Sequence, residues 1–161
     1  MILLERILVA TDFSDASAAA LEYGRSLART FGASLHVLHV TENTFLRPVP
    51  GDPFALKAAA IRHLEDRFTD DDRTELRAVT ALEMSDNPAE EIVKYAKKHD
   101  IGLIVMGTHG RGTIAQLLVG SVAEKVVRTA PCPVLTVRHP EQPATAPEIA
   151  GEIAYTTGGL S

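Results

Sequence analysis

Apolar positions along the chain gather into five short runs, at residues 7–10, 34–40, 76–82, 103–106 and Val134–Val137. Several are nearly continuous rather than alternating, as in strands covered on both faces of a parallel sheet. The stretches between them carry helical periodicity, so the pattern predicts βαβαβαβαβ and an α/β layered fold with right-handed crossovers. For the first helix, Ser14 is the expected N-cap. Ala16, Ala20, Tyr23, Leu27 and Phe31 form its apolar face, and Gly32 its left-handed C-terminus. Asn87-Pro88-Ala89-Glu90 and Ser121-Val122-Ala123-Glu124 both read as capping boxes, and Pro131 stops the helix opened by the second. A further helix is expected over 53–68, and the run Asp70-Asp71-Asp72 as a solvated turn.

Length and composition narrow the class. The 161 residues are 45% hydrophobic and 23% charged, which suits one soluble domain of about 1–140, with 141–161 as a tail rich in proline and glycine. Sixteen Lys and Arg stand against 21 Asp and Glu, and the resulting charge of −5 argues against nucleic acid as a partner. No apolar run reaches the ~18 residues of a membrane span, and Met1–Arg6 is apolar too briefly for a signal peptide. The single cysteine, Cys132, excludes an internal disulfide framework and points to the reducing cytoplasm.

The chemistry concentrates after the fourth apolar run, in Val105-Met106-Gly107-Thr108-His109-Gly110-Arg111-Gly112-Thr113 and then Val119-Gly120-Ser121. Glycines at a strand end let backbone approach a ligand, and a helix N-terminus carries N–H groups without internal partners. Together these make a phosphate cradle, although glycines equally serve turns and Ser121 has an alternative role as an N-cap. Arg111 either leans over a phosphate or lies in solvent. The P-loop is excluded because no lysine follows the glycines. Gly110-Arg111-Gly112-Thr113-Ile114-Ala115 fits the dinucleotide pattern by letter, but it follows the fourth strand and the next strand ends in Arg138, where an acid belongs.

The spacing Gly107-x2-Gly110-x9-Gly120-Ser121 resembles the G-x2-G-x9-G-[ST] motif of the ATP-binding branch of the universal stress protein family. About 0.006 such matches are expected by chance in a chain of this composition. Ile7-Leu8-Val9-Ala10-Thr11-Asp12-Phe13-Ser14 and Pro131-Cys132-Pro133-Val134 are similar to the family's opening and closing strands. Ala10 and Phe13 depart from it, standing where many relatives carry proline and glycine. The resemblance implies an open five-stranded parallel sheet in order 3-2-1-4-5, helices on both faces, in a Rossmann-like adenine-nucleotide-binding fold. It also implies a ligand site between the first and fourth strands, where the strand order reverses. Ala10, Thr11, Asp12 and Val40 would hold adenine and ribose. Met106 and Gly107 would lie beneath the ribose and α-phosphate, and Gly110, Arg111, Gly112, Gly120, Ser121 and Val122 would surround the phosphates. Asp12 has a second reading, ordering its own turn before Ser14.

The resemblance further implies ATP as the ligand, with or without Mg2+, and a homodimer formed through Val134–Val137, an apolar strand at a sheet edge. The expected role is a nucleotide-responsive regulatory protein in stress response, with a further protein partner of unknown identity. Two alternatives share the fold: a nucleotide-independent interaction module and a slow ATPase. No base aimed at a water is evident beside Asp12 and Arg111, and the glycine loop of the adenylating enzymes is missing after the first strand. His36 and His39, three apart on a strand, point to opposite faces. His63, His99 and His139 are expected to be solvated, His109 lies in the glycine loop, and Cys132 is expected to be structural.

Overall fold

The computed structural model describes residues 1–43, 50–108 and 120–138. In chain order these form β1 (Arg6–Thr11), α1 (Asp15–Phe31), β2 (Ser34–Thr41), α2 (Pro53–Glu65), α3 (Asp70–Glu75), β3 (Val79–Met84), α4 (Pro88–Lys98), β4 (Leu103–Gly107), α5 (Ser121–Thr129) and β5 (Val134–Val137). The strands make one sheet, all parallel, in the order β3-β2-β1-β4-β5. The fold and the strand order are those expected. Ile7, Leu8 and Val9 of the central strand are wholly buried between two layers, which is why its sequence shows no polar alternation. One layer packs α1, α2 and the Leu76 cap of α3 against Ile7, Val9, Leu35 and Val37; the other packs α4 and α5 against Leu8, Leu38, Ile104 and Met106. Among the described residues no helix is long and apolar enough to cross a membrane.

Helix α1 begins and ends as its sequence predicts: the Ser14 hydroxyl accepts the Ser17 N–H, and Gly32 sits at φ 65°. Its buried face matches the expected one at Ala16 and Ala20, with Leu27 packed against the core, but not at Tyr23 and Phe31. Tyr23 and Phe31 are 56% and 46% exposed, while Ala16, Ser17, Ala20, Leu21, Gly24 and Ala28 face the sheet. The helix lies so near β1 that a Cβ on Gly24 would come within 2.4 Å of Val9 Cγ2. Small side chains, rather than the largest apolar ones, define the packed stripe because separation, not hydrophobicity alone, selects them.

The helix expected over 53–68 ends at Glu65, and the acidic run opens a second helix rather than a turn, with Asp70 and Asp71 exposed and Asp72 buried. Thr69 caps α3 in a reciprocal capping box with Asp72. The Asp72 side chain is wholly buried: Oδ2 accepts the Thr69 N–H at 2.9 Å and Arg25 Nε at 2.9 Å, and Oδ1 accepts Arg29 Nη2 at 3.1 Å. Burial alone would raise its pKa, but the Thr69 N–H and the Arg25 charge outweigh it and hold the carboxyl below its usual value. Leu76, expected to start a strand, closes α3 instead and is buried; β3 follows after Arg77, whose φ is 47°. At α4, Asn87 accepts the Glu90 N–H as expected, but Glu90 reaches the Asn87 side-chain amide at 3.0 Å. The Asn87 N–H goes to Ser85 Oγ, so the box is not closed.

His36 and His39 do face opposite layers. His36, only 7% exposed, pairs its Nδ1 with the Tyr95 hydroxyl at 2.9 Å. His99 is not merely solvated, since its ring lies 4.1 Å from that of Tyr95. Burial pushes the His36 pKa below 6.5, with the nearby His99 and Arg6 charges adding to it.

Two outcomes follow from these buried polar groups. Removing one partner of a buried ion pair strands the other charge, so Asp72→Ala lowers unfolding free energy by about 3–5 kcal/mol in urea titrations. A loss below ~1 kcal/mol contradicts the burial. His36 is neutral in the folded state at pH values where the unfolded chain already takes a proton. Stability therefore falls as pH drops from 6.5 toward the lowered folded-state value, by at most ~1.4 kcal/mol per pH unit for this one group. Urea titrations between pH 7.5 and 5 show that slope reduced in His36→Leu.

Candidate functional site

At the carboxyl ends of β1 and β4, where the strand order reverses, the described residues enclose a cavity of about 270 Å³. Its floor is apolar: Ala10, Leu38, Val40 and Met106 from three adjacent strands. Pro88 and Ile92 of α4 form one wall, and Val122 and Ala123 of α5 the other. The rim is polar, built from Thr11, Asp12, Ser14 and Ser17 on one side and Gly107, Thr108, Gly120 and Ser121 on the other. Nine of the twelve expected site residues thus line one space. The remaining three, Gly110, Arg111 and Gly112, lie outside the described residues, as does His109. Sequence reasoning missed Ser14, Ser17, Leu38, Pro88, Ile92, Thr108 and Ala123. Leu38 was accessible in principle, because it shares a sheet face with Val40 two residues on.

The β1–α1 turn has its own hydrogen-bond order. Ser17 Oγ donates to the Ser14 carbonyl at 2.9 Å, so at 3.0 Å it accepts from Thr11 Oγ1, which itself accepts the Phe13 N–H at 3.1 Å. Asp12 Oδ1 accepts the Ser14 N–H at 3.0 Å, so this carboxylate orders its turn and also lines the cavity. Burial works against its charge, but hydrogen bonds from Ser14 prevail and hold its pKa below 3.8. The rim therefore carries a fixed anion, an acceptor for hydroxyl or amino groups.

Helix α5 supplies the opposite character. Its N-cap is Gly120, not Ser121, and among the described residues no side chain caps it. The Gly120 N–H donates to the Thr108 carbonyl at 2.5 Å, and the Thr108 N–H to the Val137 carbonyl at 2.9 Å, which fixes the helix start against β5. By contrast, α1 and α4 are capped by Ser14 and Asn87. A helix N-terminus with glycine at its cap, set at a cavity wall, turns its first N–H groups and partial positive charge toward that space.

Gly107 has a different reason from the one its sequence suggests. A Cβ there would lie 2.9 Å from both the carbonyl carbon and the Cβ of Ala16, and 3.1 Å from the Ser17 nitrogen. The glycine is required by the contact of β4 with α1, whatever the cavity holds. Cys132 is half-buried, and that burial raises its thiol pKa above 9.0, as befits a structural thiol.

Residues 4–138 match the universal stress protein family. A universal stress protein of Thermus aquaticus is 39% identical over 145 residues, covering 84% of this chain and all of the relative. One from Methanocaldococcus jannaschii is 32% identical over 151 residues, covering 87% and 85%. Among solved structures, the universal stress protein UspA from Lactobacillus plantarum superposes with a TM-score of 0.71 at 28% identity, covering 86% of this chain and all of that one.

Gly107→Ala tests the packing reason. Forcing a methyl against helix backbone costs about 1–3 kcal/mol, so ligand-free Gly107→Ala unfolds at correspondingly lower urea than the parent. Equal midpoints would return Gly107 to a purely ligand-facing role.

Proposed function

The chain belongs to the universal stress protein family, and on that premise we propose that it is a cytoplasmic, ATP-binding regulatory homodimer. The observation that carries this reading is the polarity of the cavity. An anionic acceptor stands on the β1 side, a helix N-terminus with no capping side chain among the described residues on the α5 side, and an apolar floor lies between them. A nucleotide has the complementary order. Its ribose hydroxyls or base amino group donate to Asp12, its flat base covers Ala10, Val40 and Met106, and its phosphates meet the first N–H groups of α5. Gly110, Arg111 and Gly112 then extend the phosphate contacts, with Mg2+ as a further counter-charge. Two carboxylate receptors would not suit ATP; one carboxylate and one N–H cradle do.

The dimer is assigned to β5, the outermost strand beyond β4, whose other edge has no strand beside it among the described residues. Val127 on the adjoining α5 is 52% exposed and adds apolar surface to that flank. Nucleotide occupancy reaches β5 through Thr108, which ties the cavity rim to Val137.

Calorimetric titration with ATP gives saturable binding at one site per chain. Val40→Trp, which fills the cavity floor from a half-buried strand end, abolishes that heat while leaving the far-ultraviolet dichroism unchanged. A parent protein that takes up no ATP, ADP or AMP at millimolar ligand overturns the reading.

A further inference from the structure

Phe13 sits at φ 63°, in the left-handed region disfavoured for any residue with a Cβ. Such a conformation persists only where surrounding contacts over-determine it. Here those contacts are made by the ring. It stacks on His63 of α2, with centroids 4.1 Å apart and planes within 2°, and meets His39 of β2 at 4.4 Å. The Arg67 guanidinium carbon lies 5.9 Å from the ring centroid. Hydrogen bonds set both histidines. Arg67 Nη2 can only donate, so His63 Nε2 accepts from it at 3.2 Å and the His63 proton resides on Nδ1. The Thr11 carbonyl can only accept, so His39 donates to it from Nδ1 at 2.8 Å.

This cluster lies behind the cavity rather than in it. Phe13 packs against the core formed by α1, Leu64 and Phe68, and no α2 residue lines the cavity. Its backbone nevertheless belongs to the turn that presents Thr11, Asp12 and Ser14 to the rim. We propose that His63 is a positioning residue for the ligand site: by stacking on Phe13 it holds the Thr11–Ser14 turn in its strained form, and so makes α2 the support of a cavity it does not touch. The link runs through packed rings and one bent backbone segment, a contiguous physical connection of the kind that transmits coupling. The affinity part of the test rests on the nucleotide reading above; the exchange part does not.

His63 is solvent-exposed, so His63→Ala leaves the core intact. In ligand-free protein the amides of Phe13, Ser14 and Ser17, which bond within the turn, exchange about tenfold faster in this variant, while those of Ile92 and Val93 in α4 are unchanged. Its ATP affinity falls about tenfold, the scale of one lost aromatic stack with its ordering effect. His63→Phe, which keeps a flat ring, restores both. Turn amides as protected in His63→Ala as in the parent overturn the proposal. A turn that responds in a protein that takes up no ATP leaves His63 its positioning role and removes the nucleotide reading. Unchanged exchange and affinity in a protein that does bind ATP do the reverse.

Discussion

The near contact of α1 with β1 and β4 is the constraint on which the site depends. Gly24 and Gly107 are the two places where a single methyl group would collide, one with Val9 and the other with the backbone of Ala16. With the helix lowered to that depth, Ser14 and Ser17 come level with the strand ends. The turn from Thr11 to Ser14 must then be sharp, and Phe13 takes the left-handed conformation that closes it. The cavity rim on the β1 side is in this sense a by-product of helix-to-sheet distance. Within the turn, Thr11 Oγ1, Asp12 Oδ1 and the Phe13 and Ser14 N–H groups already have partners inside the chain.

A second tie holds the opposite end of α1. Asp72 gathers Arg25 and Arg29 from that helix and the Thr69 N–H from its own, and so pins α3 across a layer in which α2 has Leu64 as its one buried residue. Buried carboxylates rarely add net stability over an apolar core of equal shape. What this one adds is direction: two arginines one helical turn apart can meet a single carboxylate in only one register. α1 is thereby held at both ends, by its cap near the cavity and by charge far from it.

Element order, parallel strands and the place of the glycine motif were legible because they depend on local apolar runs and on turn residues. Misreadings had a common origin in distance along the chain. Tyr23 and Phe31 looked like core because hydrophobicity ranks them above alanine and glycine, whereas the separation of two elements decided for the small residues. Asp72 looked solvated because its partners are 47 and 43 residues away. His63 looked inert because the ring it stacks on belongs to another element, 50 positions earlier by its number. Ser121 looked like a cap because its letters fit a capping box, yet the chain enters α5 one residue sooner. The described residues taken from family likeness, by contrast, sit together, because β1 and β4 are neighbours in register, Ala10 opposite Met106.

The hydrogen bond from Gly120 to the Thr108 carbonyl joins the two ends of the stretch between them, and Thr108 is itself anchored on β5. Any change of chain length between these two residues is therefore made across a base that this hydrogen bond already closes. Lengthening such a closed stretch adds only slowly to its entropic cost. The fold thus contains a closed junction at the rim of its cavity. Descendants of this chain can change the number of residues between 108 and 120 while the strand order, the helix seating and the buried charges are inherited unchanged.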